Sequence, residues 1–495
     1  MKVGYAWLAK YDGVQAPEPS PFAEIRPVSR LEVIGDCLAV PASVAPDNDN
    51  VLSHVLFALK HEGINLTILA QALQLVPEPE LRSAYDAAPG SQFLRKACYL
   101  WEHYTGQRVQ RESEGLRHNY VGLFNPERYY TSAGERNRRW RVVFNGIGSL
   151  RYCAVVRKTP ILDKFLHKNL LQQVQDFVQA LPADLLTRTL AWAYLDETRS
   201  SYAIERELPG GDKANRFIDL LKQAHKPRDL TEDYLVSLQN ATVSNVFVQA
   251  ASFRHEQNYL SNGLRGALGV TYLPPAPQLA RELMSELMAL ANHDGGKNLH
   301  EDGGLDPIML AAIVSFGFVF VHPFMDGNGR LSRFLFHQVL CQQGALDDGL
   351  LLPVSAVLKQ DEAGYKAVLE SWSAGTRPFW QVEWIDGERY HFDFQGHDAL
   401  YRYWDATHCV EFMFAAVEQA LTTKLIQESD YLKQYDAIYQ QIDKQFDVAA
   451  KDLASLVMHC MQHHGRISEN RRKQFRYSVP PEVFDAIETA YQALK

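Results

Sequence analysis

The sequence predicts a mainly α-helical protein with a small β-hairpin, and three observations carry that reading. Apolar residues recur at helical spacing along much of the chain, as in Leu52, Val55, Leu56 and Leu59. The longest apolar run, Ile308 to Val321, has the length of a buried helix and stops short of the roughly 18–20 residues that a membrane span needs. The segment Gly263 to Pro275 breaks the helical pattern, and its glycines, its Val270-Thr271-Tyr272 and its terminal prolines suit a short hairpin.

Taken in order, residues 1–50 form an irregular N-terminal segment. Pro17, Pro19, Pro21, Pro27, Pro41 and Pro46 preclude a long helix there. Leu31-Glu32-Val33-Ile34 reads as a short strand, and Ala45 to Asn50 as a turn that ends in a helix N-cap. Residues 51–185 form a mostly helical region, in which Leu52 to Leu59, Ile64 to Leu73 and Gln92 to Tyr104 each present a helical face. Short helices of this kind also build DNA binders. Residues 66–74 carry no Lys or Arg, however, so phosphate contact there would be weak and a packing or protein-docking module is the better reading. Residues 105–160 read as irregular and more basic. Their run Arg136, Arg138, Arg139, Trp140, Arg141 is taken as solvated surface, with DNA contact the weaker alternative.

Residues 161–192 return to helix, and residues 186–380 form the central domain. In the stretch Asp196 to Glu207, Ser201 and Glu205 lie one helical turn apart, and Pro209-Gly210-Gly211-Asp212 is expected to end that helix. Leu235 to Ala250 and Ala280 to Asn292 are further helices, the second closed by His293-Asp294-Gly295-Gly296. Leu351 to Ser355 opens another segment, and Tyr365 sits on a helix. Residues 381–495 follow as a β-hairpin and a helical C-terminal region. Trp380, Val382 and Trp384 alternate on one side of Asp386-Gly387, and Tyr390, Phe392 and Phe394 on the other. His459 and His463 stand four apart, as in zinc helices, but no Glu stands between them and no third ligand is marked, so they read as a helix end before Gly465. Arg466 to Arg476 is basic and reads as a small DNA-binding wing or as plain surface.

Bulk properties narrow the function classes. At 495 residues the chain is long for one domain, and about three is the expectation. A net charge of −9 argues against a general binder of nucleic acid or anionic membrane. Met1 to Tyr5 shows no apolar signal segment, and the six cysteines are scattered with no Cys-x-x-Cys. Both observations point to reduced thiols and a cytoplasmic location.

The chemistry concentrates in His322-Pro323-Phe324-Met325-Asp326-Gly327-Asn328-Gly329-Arg330-Leu331-Ser332-Arg333. Asp326 to Gly329 is turn chemistry, and successive N–H groups in such a turn form an anion-binding concavity. Leu331 to Leu340 has the length and spacing of a buried helix, so the turn joins two helices and sets its glycines at the N-terminus of the second. That position favours phosphate through free N–H groups and the helix dipole. Arg330 and Arg333, three apart, share a helix face and offer forked donors to phosphate oxygens. One carboxylate, Asp326, suits Mg²⁺, which usually takes one or two protein carboxylates and fills its shell with phosphate oxygens. His322, just before the turn, is placed to act as a general base. The sum is a nucleotide-triphosphate site, and the absence of Gly-x-x-x-x-Gly-Lys-Ser/Thr excludes a Walker loop.

This string resembles the signature of the Fic family, H-P-F-x-[D/E]-G-N-G-R-x-x-R, at every fixed position. The resemblance covers about residues 195–375. It implies a helical core carrying a hairpin flap and transfer of AMP from ATP to a protein hydroxyl. His322 would deprotonate the target Ser, Thr or Tyr. Asp326 would hold Mg²⁺, Gly327, Asn328 and Gly329 would cradle the phosphates, and Arg330 and Arg333 would bind their β/γ end. The stretch around Ser201 and Glu205 resembles the family's inhibitory segment, [S/T]-x-x-x-E-[G/N], in which the Glu pairs with the second motif arginine, here Arg333. Arg206 departs from the usual Gly or Asn, which bears on how that helix ends. By the same resemblance Thr271, Tyr272 and Leu273 belong to a flap that aligns the target by strand addition.

The leading expectation is therefore a Mg²⁺-dependent protein adenylyltransferase, restrained in cis by Glu205. Its partner would be a target protein, this chain itself included, and the sequence leaves room for a homo-oligomer. Two alternatives stay open. One is removal of AMP at the same site, with Glu205 orienting water. The other is a regulatory module that binds DNA or a partner and has a weak active site.

Overall fold

The computed structural model describes residues 1–494 apart from 112–117, 244–247, 295–303, 348 and 388. Its architecture grows from one helix, Pro307–Val321. Asp306 caps it by accepting from the N–H groups of Ile308 and Met309, and Pro307 takes the first turn, where no donor is needed. Every residue of this helix is buried. A helix apolar all round must be enclosed on all sides, and it is wrapped by Asn328–Gln342, Pro277–Asp294 and Thr407–Gln419. Ala183–Ile204 packs on Val354–Gln360 and on Gly211–Gln223, and Glu232–Thr242 lies against Asn328–Gln342. The fold is mainly α, as the periodicity predicts.

The N-terminal region has its own core, centred on Leu69, Ala97, Trp101 and Trp140. Asn50 caps Val51–His61 through the Ser53 N–H, and Asn65 caps Leu66–Ala72 through that of Ile68. Two readings of this region need correction. Residues 105–160 are not irregular. They include six short strands, Val121–Gly122, Tyr129–Tyr130, Glu135–Asn137, Val142–Phe144, Ile147–Ser149 and Tyr152–Arg157, arranged in small sheets. Strands of two or three residues carry too little alternation to be read. The basic run is not all solvated surface either. Trp140 is fully buried, its indole N–H donates to Glu102, and Arg139 both pairs with Glu102 and stacks on the Trp140 ring.

Tyr152–Arg157 pairs in parallel with Tyr403–Asp405, so the chain after residue 400 returns to the N-terminal half. The C-terminal half of Ile426–Asp443 packs with Ala450–Gln462, Glu469–Phe475 and Pro481–Ala493 around a separate core that runs from Ile438 to Tyr491. Arg466 to Arg476 is no wing. Its central part is the short helix Glu469–Phe475, and Arg472 is committed to Asp485 and Glu488. No helix among the described residues is long and apolar enough to cross a membrane.

Two helix ends also fall earlier than the sequence indicates. The helix expected over 235–250 stops at Thr242, whose carbonyl accepts from the Tyr202 hydroxyl instead of continuing the ladder. The helix expected to run to Pro209 stops at Ile204. The 263–275 hairpin is present as Leu260–Ser261 paired with Val270–Tyr272, and the 380–396 hairpin as Trp380–Asp386 paired with Arg389–Phe394. The two hairpins share a small core of Val270, Leu273 and Trp380. The turn expected at Gly295-Gly296 lies outside the described residues.

Gly317 shows how tightly the central helix is enclosed, because a Cβ there would overlap the Tyr152 hydroxyl and crowd Leu287 at 3.1 Å. Helix propensity alone makes Gly317→Ala stabilising by about 1 kcal/mol. Overpacking against a rigid buried tyrosine costs about 1–3 kcal/mol. The variant is expected to melt below wild type in a thermal unfolding scan.

Candidate active site

The site begins where the central helix ends. His322 takes a left-handed conformation, φ 52°, and its N–H closes on Phe318 O at 2.9 Å. Its Nδ1 lies 3.0 Å from Val319 O, and a carbonyl can only accept, so Nδ1 carries the proton and Nε2 the lone pair. Burial, with help from the nearby Arg254 charge, pushes the imidazole down to about 4, against the opposing pull of Glu205 and Asp326. It is therefore neutral at physiological pH, the state a general base needs.

The following turn is braced by Asn328. Its side-chain oxygen accepts from the Phe324 N–H at 3.0 Å and its amide donates to Phe324 O at 2.7 Å. The Asn328 side chain is thus committed to the turn itself. Gly327 adopts φ 87° and caps the helix Asn328–Gln342, and its N–H is held by Asp326 Oδ1 at 2.6 Å. Gln239, fully buried, donates to Asp326 O at 3.2 Å.

Arg330 and Arg333 leave this helix in different company. Arg333 donates through Nε to Ser201 Oγ at 2.9 Å, and through Nη2 to Ser201 O and Glu205 Oε1, both at 2.8 Å. Arg330 donates to Glu207 Oε2 and Asp326 Oδ1, both at 3.1 Å, and lies over the Tyr202 ring. Both guanidiniums are 2% exposed. Burial pushes the Glu205 carboxyl up, but the Arg333 charge, with Arg330 and His322 behind it, outweighs that and holds it below the usual carboxylate range. Arg333 is raised in turn, the Glu205 charge outweighing its own desolvation. A Cβ on Gly329 would overlap the Glu205 carboxylate, so this carboxylate lies directly on the glycine of the turn.

What holds Glu205 there is the end of the helix Ala183–Ile204. Arg206 takes φ 59°, its N–H returns to Ala203 O at 3.0 Å, and the Glu207 N–H returns to Tyr202 O at 3.0 Å. This is a Schellman cap. An arginine occupies the left-handed position that normally falls to Gly, so the departure at Arg206 leaves the cap geometry intact.

The flap divides the three residues named for it. Thr271 is exposed and bonds its neighbour strand at Leu260 O, whereas Tyr272 and Leu273 are buried, the Tyr272 hydroxyl donating to Phe320 O. Tyr272 and Leu273 therefore anchor the flap, and of the three only Thr271 has an exposed side chain. Two arginines that the sequence reading missed fix this region. Arg254, 5% exposed, donates to His322 O at 2.9 Å and to Glu256 O and Pro275 O, tying the His322 turn to the flap root. Arg377 donates to Val270 O, Ala267 O and Trp380 O, tying the flap to the second hairpin. Neither belongs to a motif, and an isolated arginine in sequence gives no sign that its partners are carbonyls.

A sequence profile described as the Fic/DOC family matches residues 229–340. The chain carries a Fic domain. Over 175 residues it is 27% identical to the protein adenylyltransferase fic-1 of Caenorhabditis briggsae, a match spanning 35% of this chain and 30% of that one. It is equally 27% identical over 175 residues to the protein adenylyltransferase Fic of Drosophila melanogaster, spanning 35% and 31%. The chain thus spans less than a third of the length of these curated relatives. A solved Fic family protein from Desulfovibrio desulfuricans superposes with a TM-score of 0.40 at 19% identity, over 65% of this chain and 87% of that one. The Fic match begins after the capped helix, so Ser201, Glu205 and Glu207 enter the Fic site from outside the matched segment.

Among the described residues no three His, Cys, Asp or Glu side chains are grouped to hold a metal. Asp326 nevertheless fits Mg²⁺ as a single hard ligand. Its carboxylate is 45% exposed at the mouth of the phosphate turn, and Mg²⁺ usually draws most of its shell from water and substrate phosphates.

Two measurements test this geometry. In the nucleotide-free protein the His322 imidazole should stay neutral at pH 6, where a free imidazole near 6.5 is mostly charged. Nitrogen chemical shifts of labelled histidine report this. Arg206→Gly removes a left-handed non-glycine residue, a strain of about 1–2 kcal/mol, and should raise the thermal midpoint.

Proposed function

We propose that this chain is a protein adenylyltransferase that moves AMP from ATP to a Ser, Thr or Tyr hydroxyl of a target protein and is held inactive by Glu205. The observation that carries the proposal is the place of the Glu205 carboxylate, on Gly329 and Arg333 within the turn that follows a neutral imidazole. An anion already sits where a helix N-terminus and a guanidinium would receive a phosphate.

In the working arrangement the target hydroxyl donates its proton to His322 Nε2 as its oxygen forms a bond to the α-phosphorus. The bond from that phosphorus to the oxygen bridging it to the β-phosphate breaks, and pyrophosphate leaves. The Val319 carbonyl fixes the tautomer that makes Nε2 the acceptor, and Arg254 holds the backbone of the turn. The N–H groups after Gly327 and the guanidiniums of Arg330 and Arg333 bind the phosphate chain and orient it for in-line displacement. Asp326 would hold Mg²⁺, which supplies neutralisation of charge on the phosphate oxygens. The exposed edge of the flap at Thr271 would align the target backbone, and this chain's own hydroxyls are candidate targets. Glu205 blocks the reaction by occupying Arg333.

Intact-mass analysis after incubation with ATP and Mg²⁺ tests the proposal. Glu205→Gly should raise AMP incorporation into the protein by about tenfold or more, the coupling expected of a contact worth 1–3 kcal/mol. Adding His322→Ala should abolish incorporation while ATP still binds. Incorporation that survives His322→Ala removes His322 as the base. A Glu205→Gly variant that gains no AMP and instead loses the ability to release AMP from a modified target replaces addition with removal.

A further inference from the structure

The residues after the capped helix reach the signature twice. Glu205 occupies Arg333, and two residues later Glu207 occupies Arg330, with Oε2 accepting from Nη1 at 3.1 Å. Arg330 is enclosed, 2% exposed, and its second terminal nitrogen is committed to Asp326 Oδ1. Glu207, Arg330 and Asp326 therefore form one chain of charge-assisted hydrogen bonds. It runs from the inhibitory segment to the carboxylate that would serve the metal.

The helix cap makes the two contacts a unit. Residues 205 and 207 flank the left-handed Arg206, and the bonds from Arg206 N–H to Ala203 O and from Glu207 N–H to Tyr202 O fix both carboxylates relative to the same helix end. Tyr202, which accepts the second of these bonds, also lies under the Arg330 guanidinium. Glu207 has somewhere to go when it leaves Arg330. Its side chain is 38% exposed, and the Lys213 ammonium already donates to it at 2.6 Å. Release would not strand a charge in a dry interior.

We propose that Glu207 is a second gate carboxylate, withholding Arg330, and through it Asp326, from the nucleotide. The inference rests on the reading of the signature as a triphosphate site, and it divides the gate in two. Removing Glu205 frees Arg333 alone and leaves Arg330 neutralised. If Glu207 instead served to orient Arg330 for phosphate, its removal would weaken nucleotide binding, so the sign of the effect decides.

The experiment compares wild type, Glu205→Gly, Glu207→Gln and the double variant. ATP affinity is measured by calorimetry in the presence of Mg²⁺, AMP transfer by intact mass, and folding by thermal melting. Glu207→Gln in the Glu205→Gly background should tighten ATP by about fivefold or more and raise transfer above that of Glu205→Gly. If Glu205→Gly binds and transfers but Glu207→Gln leaves affinity unchanged or weaker, the second gate falls and the transferase stands. If Glu207→Gln tightens ATP yet no variant transfers AMP, the gate stands and the transferase falls. If no folded variant binds ATP, both fall.

Discussion

The reversal of the chain at Arg206 is the constraint on which the resting site depends. One residue in a left-handed conformation lets two backbone N–H groups turn back onto the helix that ends at Ile204. Without that turn the chain would run on as helix and carry Glu205 and Glu207 along its surface. With it, two carboxylates leave the same helix end and meet two buried guanidiniums on another helix. A local backbone event thus sets a long-range electrostatic one, and an arginine at the strained position shows that the tertiary contacts outweigh a local cost of about 1–2 kcal/mol.

Electrostatics explains why such a site needs occupants at all. Arg330 and Arg333 are almost fully removed from water, and a buried guanidinium without an anionic partner is expensive. In the closed form the partners are Glu205, Glu207 and Asp326. On the proposed function a nucleotide triphosphate would be a rival set of anions, so closing and binding would be two ways of satisfying the same cations. The form with neither would be the costly one. His322 feels the Glu205 and Asp326 charges, but burial outweighs them and keeps it neutral, and its tautomer is set by the Val319 carbonyl.

Much of this was legible in sequence where local rules and function agree. The apolar run 308–321, the Asp306-Pro307 start and the glycines at 327 and 329 each state their role in their own neighbourhood. Ser201 and Glu205 were legible as a pair because helical spacing put them on one face, and the structure brings both to Arg333. Illegible parts depend on partners far away in the chain. Arg254 binds only carbonyls, Gln239 holds a turn 87 residues on, and Glu207 reads as one more charge until Arg330 is seen beside it. Strands of two or three residues between 121 and 149 fail for a different reason, since alternation needs more residues than they contain. That Tyr272 and Leu273 are buried was likewise not legible, because a hairpin's sequence does not say which of its faces is covered.

The split between the matched Fic segment and the capped helix beside it has a mechanical consequence for the proposed gate. The two carboxylates reach the signature through the Arg330 and Arg333 side chains and, for Glu205, through its place on Gly329. On that reading, substituting Arg330 or Arg333 would change catalysis and inhibition together, so neither can report on one alone. The cap is different. Arg206 makes its contribution through backbone geometry, and its conformation governs where both carboxylates sit without adding any group to the phosphate site. Side chains that favour the left-handed turn should deepen the closed state, and β-branched ones that resist it should loosen both carboxylates at once. The strength of the proposed inhibition would therefore be adjustable at a position that leaves His322, the turn at 326–329 and the flap unchanged.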